Sequence, residues 1–76
     1  MEIGEVKAAL GKRVRFQDER LHCDADYILT GCIIRRSERG YFFYQAEIQD
    51  IKHQNSVCIV PLDKLTRTQG GNHDNI

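Results

Sequence analysis

Apolar and polar positions alternate most densely between residues 27 and 60, where three β-prone runs are separated by two short breaks. Residues 27–36 are nearly continuous in apolar and β-branched side chains until Ser37, Glu38, Arg39 and Gly40 interrupt them. In residues 41–52, Phe42, Tyr44, Ala46 and Ile48 fall on one parity and Tyr41, Phe43, Gln45, Glu47 and Gln49 on the other. His53, Gln54 and Asn55 form the second break, after which Val57 and Ile59 alternate with Cys58 and Val60. Runs of this composition suit a pleated, half-buried surface, and breaks this short leave room only for hairpins. The pattern predicts an antiparallel meander with Phe42, Tyr44, Ala46 and Ile48 in its core.

Two irregularities stand inside these runs. In the first run, Ile28, Cys32 and Ile34 share one parity while Tyr27, Leu29 and Ile33 share the other, so the strand is covered on both faces or bends in mid-course. Gly31 is the position that permits a bend, and a long strand that curls serves two halves of a small barrel. In the second run Asp50 breaks the alternation and Ile51 restores an apolar residue one position late, which predicts a β-bulge there.

The flanks complete the outline. Ile3, Val6 and Leu10 recur at three- and four-residue spacing behind Glu2 and Glu5, and Gly11 follows, which predicts a short amphipathic helix. A helix this short is marginal alone, so its apolar stripe must dock on the sheet. Val14 and Phe16 alternate with Arg13, Arg15 and Gln17 as in a half-buried strand. Residues 18–26 are polar, with Leu21 the only large apolar side chain, and read as an exposed loop leading into the next strand. Pro61 ends the last run for want of an amide hydrogen, and Leu62 and Leu65 predict one helical turn plugging an end of the sheet. Residues 1–66 thus form one domain, and residues 67–76, with almost nothing to bury, form a flexible, disordered tail.

Seventy-six residues allow only a thin core, so a metal, a disulfide framework or a partner chain is the natural supplement. The three cysteines, Cys23, Cys32 and Cys58, are odd in number and lie far apart. With no apolar leader after Met1, they imply a reduced cytoplasmic setting. No apolar run approaches membrane-spanning length. Eleven basic residues balance eleven acidic ones, so the chain as a whole offers no long-range attraction to a polyanion. Local basic clusters remain at Lys12, Arg13 and Arg15 and at Arg35, Arg36 and Arg39.

The stretch Tyr27-Ile-Leu-Thr-Gly-Cys-Ile-Ile-Arg-Arg, followed by Gly40-Tyr-Phe-Phe-Tyr-Gln-Ala-Glu-Ile-Gln-Asp and Asn55-Ser-Val-Cys-Ile-Val, resembles a group of uncharacterised small proteins from phages and conjugative elements of Gram-positive bacteria. The resemblance spans about half the chain and carries no chemical motif. It implies an SH3-like barrel outline and a bacterial cytoplasmic protein of a mobile element, and it assigns no catalytic or binding residue.

The chemistry offered by the residues themselves is sparse. His22, Cys23, Cys32 and Cys58 are the types zinc accepts, yet structural zinc ligands come in closely spaced pairs, whereas Cys32 and Cys58 fall in mid-strand. Packing as small apolar groups is the better reading for these thiols. His22 beside Cys23 does not make a nucleophile and base, because neighbours in a strand point to opposite faces. The same parity argument separates Glu47 from Asp50 as an acid–base pair. Nucleic-acid binding draws on Tyr41 and Phe43 beside Arg35, Arg36 and Arg39, since bases stack on rings while arginines hold phosphates. Against this, the rings would cover a curled sheet and the arginines pair with Glu38 and Glu47. Protein binding needs only an apolar patch or a free strand edge.

The sequence therefore predicts a mainly β fold, an SH3-like antiparallel barrel of four or five strands with a short N-terminal helix. Its expected role is that of a non-catalytic, protein-binding accessory module without a cofactor or a bound metal. The expected partner is a protein and not a membrane, with the chain itself a monomer or weak homo-oligomer. The alternative is a nucleic-acid-binding barrel using Arg35, Arg36, Arg39, Tyr41 and Phe43.

Overall fold

A computed structural model describes residues 1–68 of the chain. The chain begins with a 3₁₀ turn, Ile3–Glu5, running directly into a short helix α1, Val6–Ala9. Five strands follow: β1 Arg13–Asp18, β2 Cys23–Arg36, β3 Phe42–Asp50, β4 Val57–Pro61 and β5 Leu65–Arg67. They make one antiparallel sheet in the order β4-β3-β2-β1-β5. The mainly β class, the strand number and the N-terminal helix are as expected from the sequence. β4 and β5 lie at the two ends of the strand order, so the sheet is open. Among the described residues no helix is long and apolar enough to cross a membrane.

One face of the sheet carries the core: Val14, Phe16, Leu29, Ala46, Ile48, Val60 and Leu65, capped by Val6 and Ala9 of α1 and by Leu62. Phe16 and Tyr27 meet edge to face with ring centroids 6.2 Å apart. No polar or charged residue is buried among the described residues, so nothing in this core needs a compensating partner.

The helix buries Val6 and Ala9, whereas Ile3 and Leu10 of the expected stripe are largely exposed. The 3₁₀ start shifts the phase of the first turn, and the chain is already extended at Leu10, so the stripe has no full turn on which to continue. Gly11, at φ +81°, then swings its N–H to the Leu29 carbonyl at 2.8 Å, and Leu29 N–H returns a bond to the Lys12 carbonyl. That φ is why a glycine stands there.

The expected loop at 18–26 is mostly strand. Asp18 caps a 3₁₀ turn, Glu19–Leu21, by accepting the Arg20 N–H at 2.9 Å, and His22 reverses the chain in the left-handed region at φ 52°. β2 begins at once, with Asp24 and Asp26 beside Arg15 at 2.6 and 3.1 Å. These polar side chains belong to the outer face of the β1–β2 ladder, where their polarity mimics that of a loop.

The bulge also sits elsewhere than expected. β3 runs without interruption to Asp50, and Ile51 is exposed in the turn. The irregularity lies in β2, where Leu29 pairs with Ile48 and Gly31 with Glu47, leaving Thr30 as the extra residue. A bulge resets the alternation, so Tyr27 and Leu29 before it share the inner face with Cys32 and Ile34 after it. The apparent two-sidedness of this run follows from that single insertion.

Leu62 and Leu65 plug the sheet as expected, through a 3₁₀ turn, Leu62–Lys64, and the short β5. Of the predicted tail 67–76, Arg67 belongs to β5 and Thr68 follows it. The remainder lies outside the described residues.

Candidate functional site: the distal ribbon

β2 has fourteen residues, but its neighbours do not cover all of them. β1 pairs with β2 only through Ile28, with two further backbone bonds at Leu29. On the other side, β4 pairs with β3 from Gln49 back to Gln45, where Pro61 closes the ladder. Residues 31–36 of β2 therefore have no strand on the β1 side; of these, 31–33 pair with 45–47 of β3, which β4 backs, while residues 34–36 and 42–44 pair only with each other. They form a two-stranded ribbon extending beyond the core. Three residues at roughly 3.3 Å each give about 10 Å of ladder before the turn.

The ribbon ends in a tight turn. Ser37 N–H bonds the Tyr41 carbonyl at 2.8 Å, Gly40 N–H bonds the Ser37 carbonyl at 3.0 Å, and Gly40 takes φ +92°. Pairing fixes which side chains share a face. Ile34 stands opposite Tyr44 and Arg36 opposite Phe42 on the face continuous with the core, while Ile33 stands opposite Gln45 and Arg35 opposite Phe43 on the outer face.

Of the four residues expected in the core from β3, only Ala46 and Ile48 are buried; Phe42 is 64% exposed and Tyr44 is exposed too. Their parity is right, but β4 and α1 do not reach far enough to cover them. Ile34, at 63%, is exposed for the same reason. Below this surface, Met1, Ile3, Tyr44, Pro61 and Leu62 line an open cleft of about 400 Å³, with Glu2 and Asp63 also contributing to its wall.

The structure brings Arg35, Arg36, Arg39, Tyr41 and Phe43 onto this one element, divided between its faces and tip. Tyr41 and Phe43 are both exposed, as are the three arginines. None of Arg35, Arg36 and Arg39 lies within 4 Å of a carboxylate among the described residues; Arg35 Nε donates to Gln45 Oε1 instead. The first basic cluster differs: Arg13 and Arg15 are engaged by Asp24 and Asp26. With Glu38 in the turn, the ribbon carries a local excess of positive charge in a neutral chain.

Sequence reasoning missed Ile34, Phe42 and Tyr44 as surface residues. A signal for them was present: counting back along the second hairpin from its turn, Pro61 falls opposite Gln45, so residues of β3 before Gln45 have no strand beside them.

The remaining candidates are dispersed. Cys23 sits with Sγ 4.0 Å from the Tyr27 hydroxyl, Cys32 packs against the core, and Cys58 is exposed; none is in a disulfide. Burial, with Cys23 beside it, pushes the Tyr27 phenol above its usual value. Among the described residues no three His, Cys, Asp or Glu side chains come close enough together to hold a metal. Glu47 faces outward beside Thr30, and Asp50 is engaged in the β3–β4 turn, accepting from Lys52 and His53 N–H at 2.8 and 3.0 Å. Comparison with protein-family models, with curated proteins and with solved structures returns no match.

Proposed function

We propose that this chain is a non-catalytic protein-binding module whose working element is the distal ribbon. The observation carrying this reading is that residues 34–36 and 42–44 pair only with each other while presenting Ile34, Phe42 and Tyr44 to solvent on one face. A two-stranded ribbon is marginally stable in water, and free edges invite further pairing. Full burial of a side chain such as Phe42 or Ile34 is worth roughly 1.5–3 kcal/mol, so a partner covering this contiguous group gains enough to bind. Scattered exposed apolar residues need no explanation, but a cluster on an unpaired ribbon does.

The three free thiols and the resemblance to small mobile-element proteins support a cytoplasmic, accessory role in such an element. The test is capture from the native host by the tagged chain and by a Phe42→Ser/Tyr44→Ser variant of unchanged melting temperature. A partner retained by the first and lost by the second supports the reading. Equal capture by both removes the ribbon from it.

The lack of carboxylate partners around Arg35, Arg36 and Arg39 favours a second reading, in which the ribbon holds a nucleic-acid backbone while Tyr41 and Phe43 stack on bases. Binding of labelled single-stranded or duplex DNA that weakens steeply with salt is its signature. Flat titrations at low and moderate salt dismiss it.

A further inference from the structure

Resting on the protein-binding reading, we infer that the free edge of β2, residues 31–36, accepts an extended, acidic segment of a partner protein as an added strand. On its other side this stretch is fully paired to β3, whereas on the β1 side the last backbone bonds are those of Leu29 with Gly11 and Lys12. An added strand takes the line that β1 leaves vacant, beside six residues of backbone. The free edge of β3 offers only three, residues 42–44. Backbone bonds along such an edge give affinity, and side chains on alternate faces give selectivity.

Charge selects the occupant. Arg35 lies on the outer face and Arg36 on the inner one, both without a carboxylate within 4 Å, and Arg39 stands at the tip. A strand alternates its side chains between faces, so acidic residues at neighbouring positions reach both arginines. A nucleic-acid strand lying on one face meets only half of this charge. A second copy of this chain, running antiparallel along residues 31–36, sets Cys32 opposite Arg35 and Gly31 opposite Arg36 and so brings neither arginine a carboxylate.

The experiment uses the full chain with three labelled synthetic peptides of about ten residues, a length matched to a strand. The first sets pairs of adjacent glutamates between valines, so that carboxylates fall on both faces, the second sets lysines at the same positions, and the third is the first with alternate amides N-methylated, which keeps its charge but blocks one edge from pairing. The inference expects the glutamate peptide to bind about tenfold or more tightly than the lysine peptide, with slowed amide exchange in residues 31–36 and loss of binding on N-methylation. An Arg35→Gln/Arg36→Gln variant, altered only at exposed positions, is expected to lose that preference. Equal binding of the N-methylated peptide overturns strand addition but leaves the protein-binding reading standing. So does ribbon-dependent capture of a host protein with no response to any peptide. Salt-sensitive binding of an oligothymidylate without peptide binding overturns both.

Discussion

The Thr30 hydroxyl lies 3.1 Å from the Glu47 carbonyl oxygen and 2.7 Å from Glu47 Oε2, at the one residue between Tyr27 and Arg36 of β2 that has no partner of its own on β3. A bulge interrupts the ladder, and this side chain restores part of the lost hydrogen bonding. It also marks where the strand passes from the body into the ribbon. Thr30→Val keeps the β-branched shape and removes the hydroxyl, so it is expected to cost about 0.5–1 kcal/mol. Thr30→Ser should retain most of the bond. Urea unfolding at unchanged m-value is the measurement; equal midpoints for Thr30→Val and the parent chain would show that this bond contributes nothing.

Leu65 and Ile34 separate core from ribbon. Leu65 is fully buried, and its truncation to alanine should cost about 2–5 kcal/mol, which is comparable to the roughly 3–5 kcal/mol that a core of this size supplies. Leu65→Ala is therefore expected to abolish a cooperative melt at ordinary temperature. Ile34→Ala, on the exposed ribbon face, should change stability by about 0.5 kcal/mol or less. A large loss at Ile34 would mean that the ribbon face packs as core.

The contrast also shows how far the sequence could be read. Turn residues at 37–40 and 53–55 bracket runs that have only one sensible pairing, so the meander was legible. The bulge was not, because Thr30-Gly31 breaks neither the apolar run nor its β propensity, and its effect is to change which later residues share a face with Leu29. Exposure of Phe42 and Tyr44 escaped for another reason. Alternation reports which face a side chain occupies, but cover depends on how far β4 reaches, and Pro61 sets that limit opposite Gln45. The residues expected to bind nucleic acid did gather on one element, since proximity along a hairpin follows from its turn. Their division between faces required the register.

Acid should weaken the fold through two carboxylates. Backbone N–H bonds from Lys52 and His53 hold Asp50 below the usual carboxylate value, and the side-chain bond from Arg15 lowers Asp24 likewise. A group lowered in the folded state takes up its proton first in the unfolded chain. Its contribution is present above the unfolded value of about 3.9 and is lost as pH falls through the lower folded value. The melting temperature is expected to drop between about pH 5 and about pH 2. Asp24→Asn/Asp50→Asn should start lower and show a shallower fall across that window. Parallel curves for the two proteins would assign the acid sensitivity to other groups.

Gly40 gives access to the ribbon without touching the core. Its φ of +92° is strained for any side chain, although a Cβ there would meet only Arg36 Nη2 at 3.7 Å, so the cost of Gly40→Ala is conformational and not a clash. It should amount to about 1 kcal/mol or more, spent on opening the turn. A ribbon joined to the body by only two strands is expected to fray at less than the global unfolding free energy. Gly40→Ala should then speed amide exchange within residues 34–36 and 42–44 and leave Leu29, Ala46 and Ile48 as protected as before. If protection at Leu29 and Ile48 falls by the same factor, ribbon and body open as one cooperative unit. In that case an added strand at the β2 edge would stabilise the whole domain, and its binding would appear as a raised melting temperature and not as local protection alone.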